Sequence, residues 1–573
     1  MVIFSCDIEA DGIYPSKIWC IVAQDVITKN IFKFTPDNLN DFNDWLTRVD
    51  TLVFHNGIAY DIPVLQRLLN TDFSTINIED TMIMSQITDP RRDGGHSLRS
   101  WGDRLGFDKG DHEDWSQFSQ EMLDYCVRDV EITTKVYNIL KHQVKDYRDA
   151  LNLEYDIKRI CVEQERHGWT FDNRKATEVL YDINEELKKV EDEVLATFKP
   201  LKTWIPKTPV KNRFKKDGRR TSAYQREVDL GCHTNDDGEY GYFARVRFNL
   251  NSRQHIGRHL INAGWKPTVF TETGQPKIDE KVLADVDIPE AKLINRYLML
   301  QKRKGQLDSW LEEYNRETNA IHSRVHTIGT VTNRMSSSNP NLQQVTASSK
   351  EFGSEMRSLF TVPDGKVLVG ADLAGLELRC LAHYMNDEEY TNEILHGDIH
   401  TANQLAAGLQ SRDKAKTFIY AFLYGAGDEK VGSIVGGTKA DGRKLKADFL
   451  ANTPALKTLR GRVERVSERG YIKGLDGRHI PVRSAHSALN FLLQSAGAII
   501  AKRAWIIFHQ RCKLPFRQLG VIHDEIQVEC RPEDAEEIGQ CIVDSMRATT
   551  NYYKLRCPID GEYKVGRNWN ETH

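Results

Sequence analysis

Two aspartates far apart in the chain, Asp372 and Asp524, each stand where an apolar alternation ends. Val367, Val369 and Ala371 alternate with Leu368 and Gly370 up to Asp372, a period of two that predicts a strand, and the helical spacing of Leu378, Leu381 and Met385 begins directly after it. From Leu519 to Cys530, alternating apolar residues flank His523-Asp524 on both sides, which predicts a hairpin with an acidic turn. Carboxylates on adjacent rigid strands can hold two divalent ions about 4 Å apart, the arrangement that serves both oxygens of an in-line phosphoryl transfer. Hard oxygen ligands favour magnesium. A lone aspartate after a strand is more often a turn or cap residue, so the pairing carries the reading.

A second set of acids lies near the N-terminus. Asp7 and Glu9, at i and i+2 of a strand, point to one face, where two like charges are costly unless a cation or water meets them. Val53 to Gly57 and Tyr60-Asp61 predict a strand, a turn and a helix start, and Tyr125 and Asp129 share one face of a helix at i and i+4. Between the two aspartates of the first set, Arg412, Lys416, Tyr420 and Tyr424 recur every four residues. Each step of four advances about 40° around a helix, so they form one slanting stripe. Two cations suit a triphosphate and two aromatic rings suit a base.

These residues must be positioned by several domains, since 573 residues exceed one hydrophobic core. Hydrophobic content of 40% and charged content of 28% are ordinary for a soluble globular chain, and a net charge of -4 neither advertises nor excludes a nucleic-acid partner, because it averages over faces. Ten cysteines without a CxxC pair argue for reduced thiols rather than a disulfide frame or zinc site. Charges interrupt every apolar run before signal or membrane length, so neither export nor membrane anchoring is expected. Residues 150 to 198 predict long helices broken at His167-Gly168. Lys199 to Arg226 shifts to Lys, Arg and Pro with almost no acid, an extended basic excursion able to track phosphates.

Asp372 through Gly375-Leu-Glu-Leu-Arg379, with His523-Asp524-Glu525, resembles the first and third palm motifs of family A DNA polymerases, and Arg412 to Gly425 resembles their fingers helix. Asp7, Glu9, Asp61, Tyr125 and Asp129 resemble the three motifs of 3'-5' proofreading exonucleases. The resemblance covers almost the whole chain and is nearest to podovirus-type phage replicative polymerases. It implies an α/β multidomain architecture, a ribonuclease H-like 3'-5' exonuclease domain plus a right-hand polymerase. The implied boundaries are 1-145 for the exonuclease domain, 146-320 for the thumb with a basic insertion near 199-247, 321-385 for the first part of the palm, 386-485 for the fingers and 486-573 for the second part of the palm.

By the same resemblance, Asp372, Asp524 and the backbone carbonyl of Ala371 or Leu373 hold two Mg2+ ions, and Asp7, Glu9, Asp61 and Asp129 hold two more, with Mn2+ able to substitute. Tyr125 orients the attacking water. His400, Arg412 and Lys416 contact the triphosphate, while Tyr420 and Glu377 close the space beside the sugar's 2' carbon, which selects DNA over RNA as product. Tyrosine rather than phenylalanine at 420 implies weak rejection of dideoxynucleotides. Arg334, Gln343, Asn490, Gln494 and His523 face the primer-template, and Lys302, Arg303 and Lys304 lie near primer phosphates. Two positions depart from the family pattern: Asn333 stands for a glycine and Ala374 for a serine. Asparagine still tolerates a left-handed backbone.

The implied function is template-dependent DNA polymerisation with proofreading in phage replication, in the host cytoplasm. Primer-template DNA and deoxynucleoside triphosphates are the implied ligands, and a helicase-primase and a single-strand-binding protein the implied associates. The insertion is shorter than the form that recruits a thioredoxin-type processivity factor, which argues against that partner and for direct DNA contact. A dedicated nuclease would leave the Arg412 stripe unexplained, and a non-catalytic DNA scaffold would leave Asp372 and Asp524 unexplained. A single-subunit RNA polymerase is disfavoured by Glu377 and the exonuclease motifs.

Overall fold

The alternation that leads to Asp372 forms the strand Val367–Leu373, held between Glu525–Cys530 on one side and Gly561–Gly566 on the other. Phe516–Ile522 adds the fourth strand beyond Glu525–Cys530, and every pairing is antiparallel. The central strand is close-packed at Gly370, where a Cβ would come within 2.4 Å of the Gln527 side chain and 2.6 Å of the Thr572 carbonyl. One face of the sheet is covered by Ala535–Tyr552, which in turn packs on the long helix Ala485–Arg511. That long helix is apolar on all sides because 78% of its most hydrophobic stretch is buried in the protein, as the helix at the centre of a large core should be. These are properties of the computed structural model, which describes residues 2–284 and 286–573.

A second sheet contains the N-terminal acids. Ile31–Phe34, Ile18–Asp25 and Ile3–Ala10 run antiparallel, and Thr51–Phe54 and Asn77–Asp80 continue the sheet parallel to Ile3–Ala10. Helix Gln120–Gln143 lies against Ile3–Ala10 and Ile18–Asp25. The mixed α/β architecture agrees with the expected fold class. Six helices between Glu388 and Ser467 follow the helix Leu376–Met385, and the hairpin Tyr471–Lys473 with His479–Pro481 leads into the long helix.

Contacts group residues up to Asp172 with Glu313–His573 in one unit and Asn173–Glu312 in another. The helix Arg148–His167, counted with the thumb on sequence grounds, falls in the first unit and packs on Ala485–Arg511 and Phe516–Ile522. In the second unit the helices Asn173–Thr197 and Pro289–Glu312 pack along each other.

Two expectations are corrected there. The basic excursion is folded: Leu201–Pro206, Tyr240–Val246 and His233–Thr234 form a three-stranded sheet beside the helix Ser222–Asp229. The alternation of Leu201, Thr203 and Ile205 with Lys202 and Trp204 is a strand pattern that the basic composition masked. Arg303, expected at primer phosphates, is 4% exposed. It follows Leu300 and precedes Leu307 and Trp310 at helical spacing, on the inward stripe, whereas Lys302 faces solvent and Lys304 pairs with Asp308 at 2.9 Å.

Candidate active sites

The four-stranded sheet brings the two distant aspartates to one edge. Asp372 pairs in register with Glu525 on one side and Glu562 on the other, and the Leu373 N–H donates to the Asp524 carbonyl at 3.2 Å. The turn is tight, with His523 in the left-handed region at φ 58°. Gln343 fastens it: the His523 N–H donates to Gln343 Oε1 at 3.0 Å, and Gln343 Nε2 donates to the Val521 carbonyl at 2.5 Å. Gln343 was expected to reach the minor groove. Instead it is buried with both ends of its amide engaged, so it positions the turn that presents Asp524.

Electrostatics mark this edge as short of positive charge. Desolvation in the cleft, followed by repulsion from Asp524, Glu525, Glu562 and Glu377, pushes Asp372 up to about 8. Asp524 is pushed to about 6 by desolvation and Glu377, against the opposing pull of Arg334. Glu525 beside them is buried and accepts from Trp569 Nε1 at 2.6 Å and His573 Nδ1 at 2.8 Å. A donor set of carboxylate oxygens crowded in this way fits hard divalent cations, which would relieve the repulsion.

The helix Arg412–Leu423 starts with Ser411 as N-cap and carries the expected stripe, Tyr424 closing it as C-cap residue. Arg412 pairs with Asp398 at 2.5 Å, and Asp398 also caps the helix Ile399–Ala407 through the His400 and Thr401 N–H groups. Lys416 is exposed. Burial and then Arg412 and Lys416 hold His400 below its usual range, which places all three in one electropositive corner. The Tyr420 and Tyr424 rings stack with centroids 6.3 Å apart. Glu377 was expected to act with Tyr420, but its Oε1 accepts from the Tyr424 hydroxyl at 3.0 Å and from Arg334 Nη2 at 2.9 Å. The hydroxyl of a residue at the helix end reaches Glu377, which helical spacing alone does not show.

The other residues expected to face DNA include a hydrogen-bonded chain. Thr332 donates to Gln494 Oε1 at 3.2 Å, and Gln494 Nε2 donates to Asn490 Oδ1 at 2.8 Å, one helical turn away. Asn333 adopts φ 63°, the left-handed backbone its type tolerates. His523 projects to solvent beside Asp524.

The N-terminal acids also meet. Asp7 and Glu9 project from Ile3–Ala10, Asp61 starts the helix Asp61–Leu69 and accepts from the Ile8 N–H at 3.2 Å, and Asp129 comes from Gln120–Gln143. Ligand atoms of Asp7, Glu9 and Cys126 lie within 4.8 Å of one another. Burial, then Asp129, pushes Glu9 to about 9, and burial pushes Asp61 to about 7. Asp7 is raised by burial, then by Asp61 and Glu9. These acids again form an oxygen-rich set that fits divalent cations.

Sequence reasoning missed Lys109, whose Nζ sits 2.5 Å from Asp129 Oδ2 and 4.8 Å from the Tyr125 ring centroid. Nothing about Lys109 in its loop signals this, because the contact depends on the loop's return to the sheet. It also missed a buried quartet: Glu154 Oε1 accepts from Lys502 at 2.6 Å and Arg478 at 2.8 Å, and Arg478 pairs with Asp476 at 2.6 Å. An acid and a lysine inside otherwise apolar helical stripes were the available signal.

Clustered strand-end carboxylates beside a cationic, aromatic helix put the protein in the phosphoryl-transferring class. Residues 220–571 match DNA polymerase family A. The chain is 35% identical to the DNA-directed DNA polymerase of Enterobacteria phage T3 and 36% identical to that of Escherichia phage T7, in each case across 99% of both chains. The fold is similar to the solved POL domain of Pol1 from M. smegmatis in complex with DNA primer-template and dNTP, with TM-score 0.77, 16% identity, and coverage of 99% of this chain and 95% of that one. The chain belongs to DNA polymerase family A.

Proposed function

We propose that the chain is a phage-type, template-dependent DNA-directed DNA polymerase with a separate 3'-5' exonuclease centre. The observation that carries the polymerase reading is the sheet register that sets Asp372 beside Asp524-Glu525, in a chain of this family.

Asp372, Asp524 and the Leu373 backbone carbonyl are the groups that would hold Mg2+ in the polymerase centre. When bound, such ions supply the charge that activates the primer 3'-hydroxyl and stabilises the departing pyrophosphate. Neither aspartate acts as a nucleophile. Arg412, Lys416 and His400 receive the triphosphate, with Arg412 released from Asp398 as it does so. Tyr420 offers its ring to the nucleotide, while Glu377, braced by Tyr424 and Arg334, fills the space where a 2'-hydroxyl would lie. Arg334, Asn490, Gln494 and His523 face the primer-template, with Lys302 toward its phosphates. Gln343 acts through the turn rather than by direct contact.

In the exonuclease centre, Asp7, Glu9, Asp61 and Asp129 would hold Mg2+ and Tyr125 would orient the attacking water. The support is the convergence of four acids from three elements around a site where burial raises every carboxyl, repulsion between acids adds to the rise at Asp7, Glu9 and Asp61, and Lys109 pulls back at Asp129. A helicase-primase and a single-strand-binding protein are the proposed associates, and the host cytoplasm the proposed location. One primer-extension gel tests the reading: extension with deoxynucleotides and shortening without them is the expected result. Shortening alone would leave a dedicated nuclease, and neither product a scaffold.

A further inference from the structure

The small sheet in the Asn173–Glu312 unit presents a face that neither catalytic centre uses. Its register sets Lys202 opposite Arg245 and Trp204 opposite Phe243, with His233 opposite Gly241. Cross-strand partners and alternate residues share a side, so Lys202, Trp204, His233, Phe243 and Arg245 stand together. The Trp204 ring lies 5.0 Å from both His233 and Phe243, edge-on to each, and Lys202 Nζ sits 4.7 Å from the Phe243 ring centroid. Gly241 makes room for this arrangement, because a Cβ there would come within 2.9 Å of the Trp204 ring.

The face is open and cationic. Phe243 is 47% exposed, and Lys202, His233 and Arg245 also face solvent. Residues 199–247 contain twelve Lys and Arg against six Asp and Glu, in a chain whose net charge is -4. The six acids have other places: Asp217 pairs with Arg219 at 2.6 Å, Asp229 accepts from Gln225 Nε2 at 2.7 Å, Asp236, Asp237 and Glu239 occupy the turn between His233–Thr234 and Tyr240–Val246, and Glu227 is buried, accepting from the Val210 N–H and the Tyr240 hydroxyl. Adjoining rings at a surface, rimmed by polar and charged side chains, mark an interaction site. A single strand of DNA offers unstacked base faces for the rings and phosphates for the flanking cations, whereas a duplex hides its base faces.

We propose that this sheet face is a stacking platform for single-stranded DNA, tolerant of sequence and sensitive to salt. The proposal adds a binding site to the polymerase and does not rest on the chemistry of either acid cluster.

The test uses the full chain in EDTA, with excess unlabelled primer-template filling the cleft, and follows fluorescence anisotropy of a short labelled oligothymidine. The wild type is expected to prefer oligothymidine over an abasic strand of equal length. Phe243→Ala should weaken oligothymidine binding about tenfold and erase that preference, while Phe243→Trp keeps both. Lys202→Gln with Arg245→Gln should weaken both ligands and flatten the salt dependence. Unchanged thermal midpoints establish that the variants fold, which the exposure of these side chains favours. Equal affinity for the two strands, or wild-type binding by Phe243→Ala, would overturn the proposal. Competition by polyglutamate as strong as that by oligothymidine would also overturn it, assigning the face to acidic proteins.

Discussion

At Asp372 the proposed function works against stability. Its pKa of about 8 means that the folded chain binds the proton more tightly than the unfolded chain does. A raised carboxylate leaves stability intact below its unfolded value near 4 and removes it as the pH climbs through the folded value. Asp524 at about 6, Asp61 at about 7 and Glu9 at about 9 add in the same direction. In EDTA the thermal midpoint should therefore fall between about pH 4 and pH 9. Magnesium should restore it more at the alkaline end, where the ligands are ionised. A midpoint that rises with pH in EDTA would contradict this crowding of carboxylates. Asp372→Asn should raise the midpoint in EDTA at pH 8 and abolish primer extension, two effects of one lost charge. Asp372 and Asp524 were legible in sequence because each ends an alternating run. The Tyr424 contact with Glu377 was not, since it depends on how the end of one helix meets another.

At the scale of elements, the buried quartet joins three pieces that are distant in sequence. Glu154 comes from Arg148–His167, Asp476 and Arg478 from the loop between the hairpin strands Tyr471–Lys473 and His479–Pro481, and Lys502 from Ala485–Arg511. All four side chains are at most 1% exposed. Burial lowers the Lys502 pKa, while Asp476 and Glu154 outweigh burial at Arg478 and leave its pKa raised. Removing one member strands the others without solvent. Glu154→Ala should cost about 3–5 kcal/mol, seen as a lower urea midpoint. Adding Lys502→Met should recover part of that loss, because the cation left most exposed to the missing charge goes with it. No recovery would mean that the quartet acts through packing alone. The strands, the broken helices and the hairpin were visible as periodicities of two and of 3.6. The insertion sheet was missed because its strand residues alternate weakly within a basic stretch. The inward turn of Arg303 was missed because a run of three cations hid the apolar spacing around it.

For the whole molecule, the decisive feature is that the two acid clusters belong to different sheets, with separate cores. The N-terminal cluster is seated on a core that includes Phe4, Ile8, Leu52 and Ile132, and the cluster at Asp372 and Asp524 on one that includes Val369, Ile500, Ile526 and Met546. Core packing is local, and substitutions well separated in space usually act independently. Asp524→Ala should therefore eliminate extension and leave shortening of a single strand near the wild-type rate. Asp7→Ala with Glu9→Ala should do the reverse, slowing shortening by orders of magnitude while extension persists. Both variants remove a like charge from a crowded site, so neither should unfold in EDTA, which separates chemistry from stability. If a folded variant of either kind lost both activities, the two sheets would be parts of a single catalytic centre, and the assignment of one acid set to building the strand and the other to trimming it would fail.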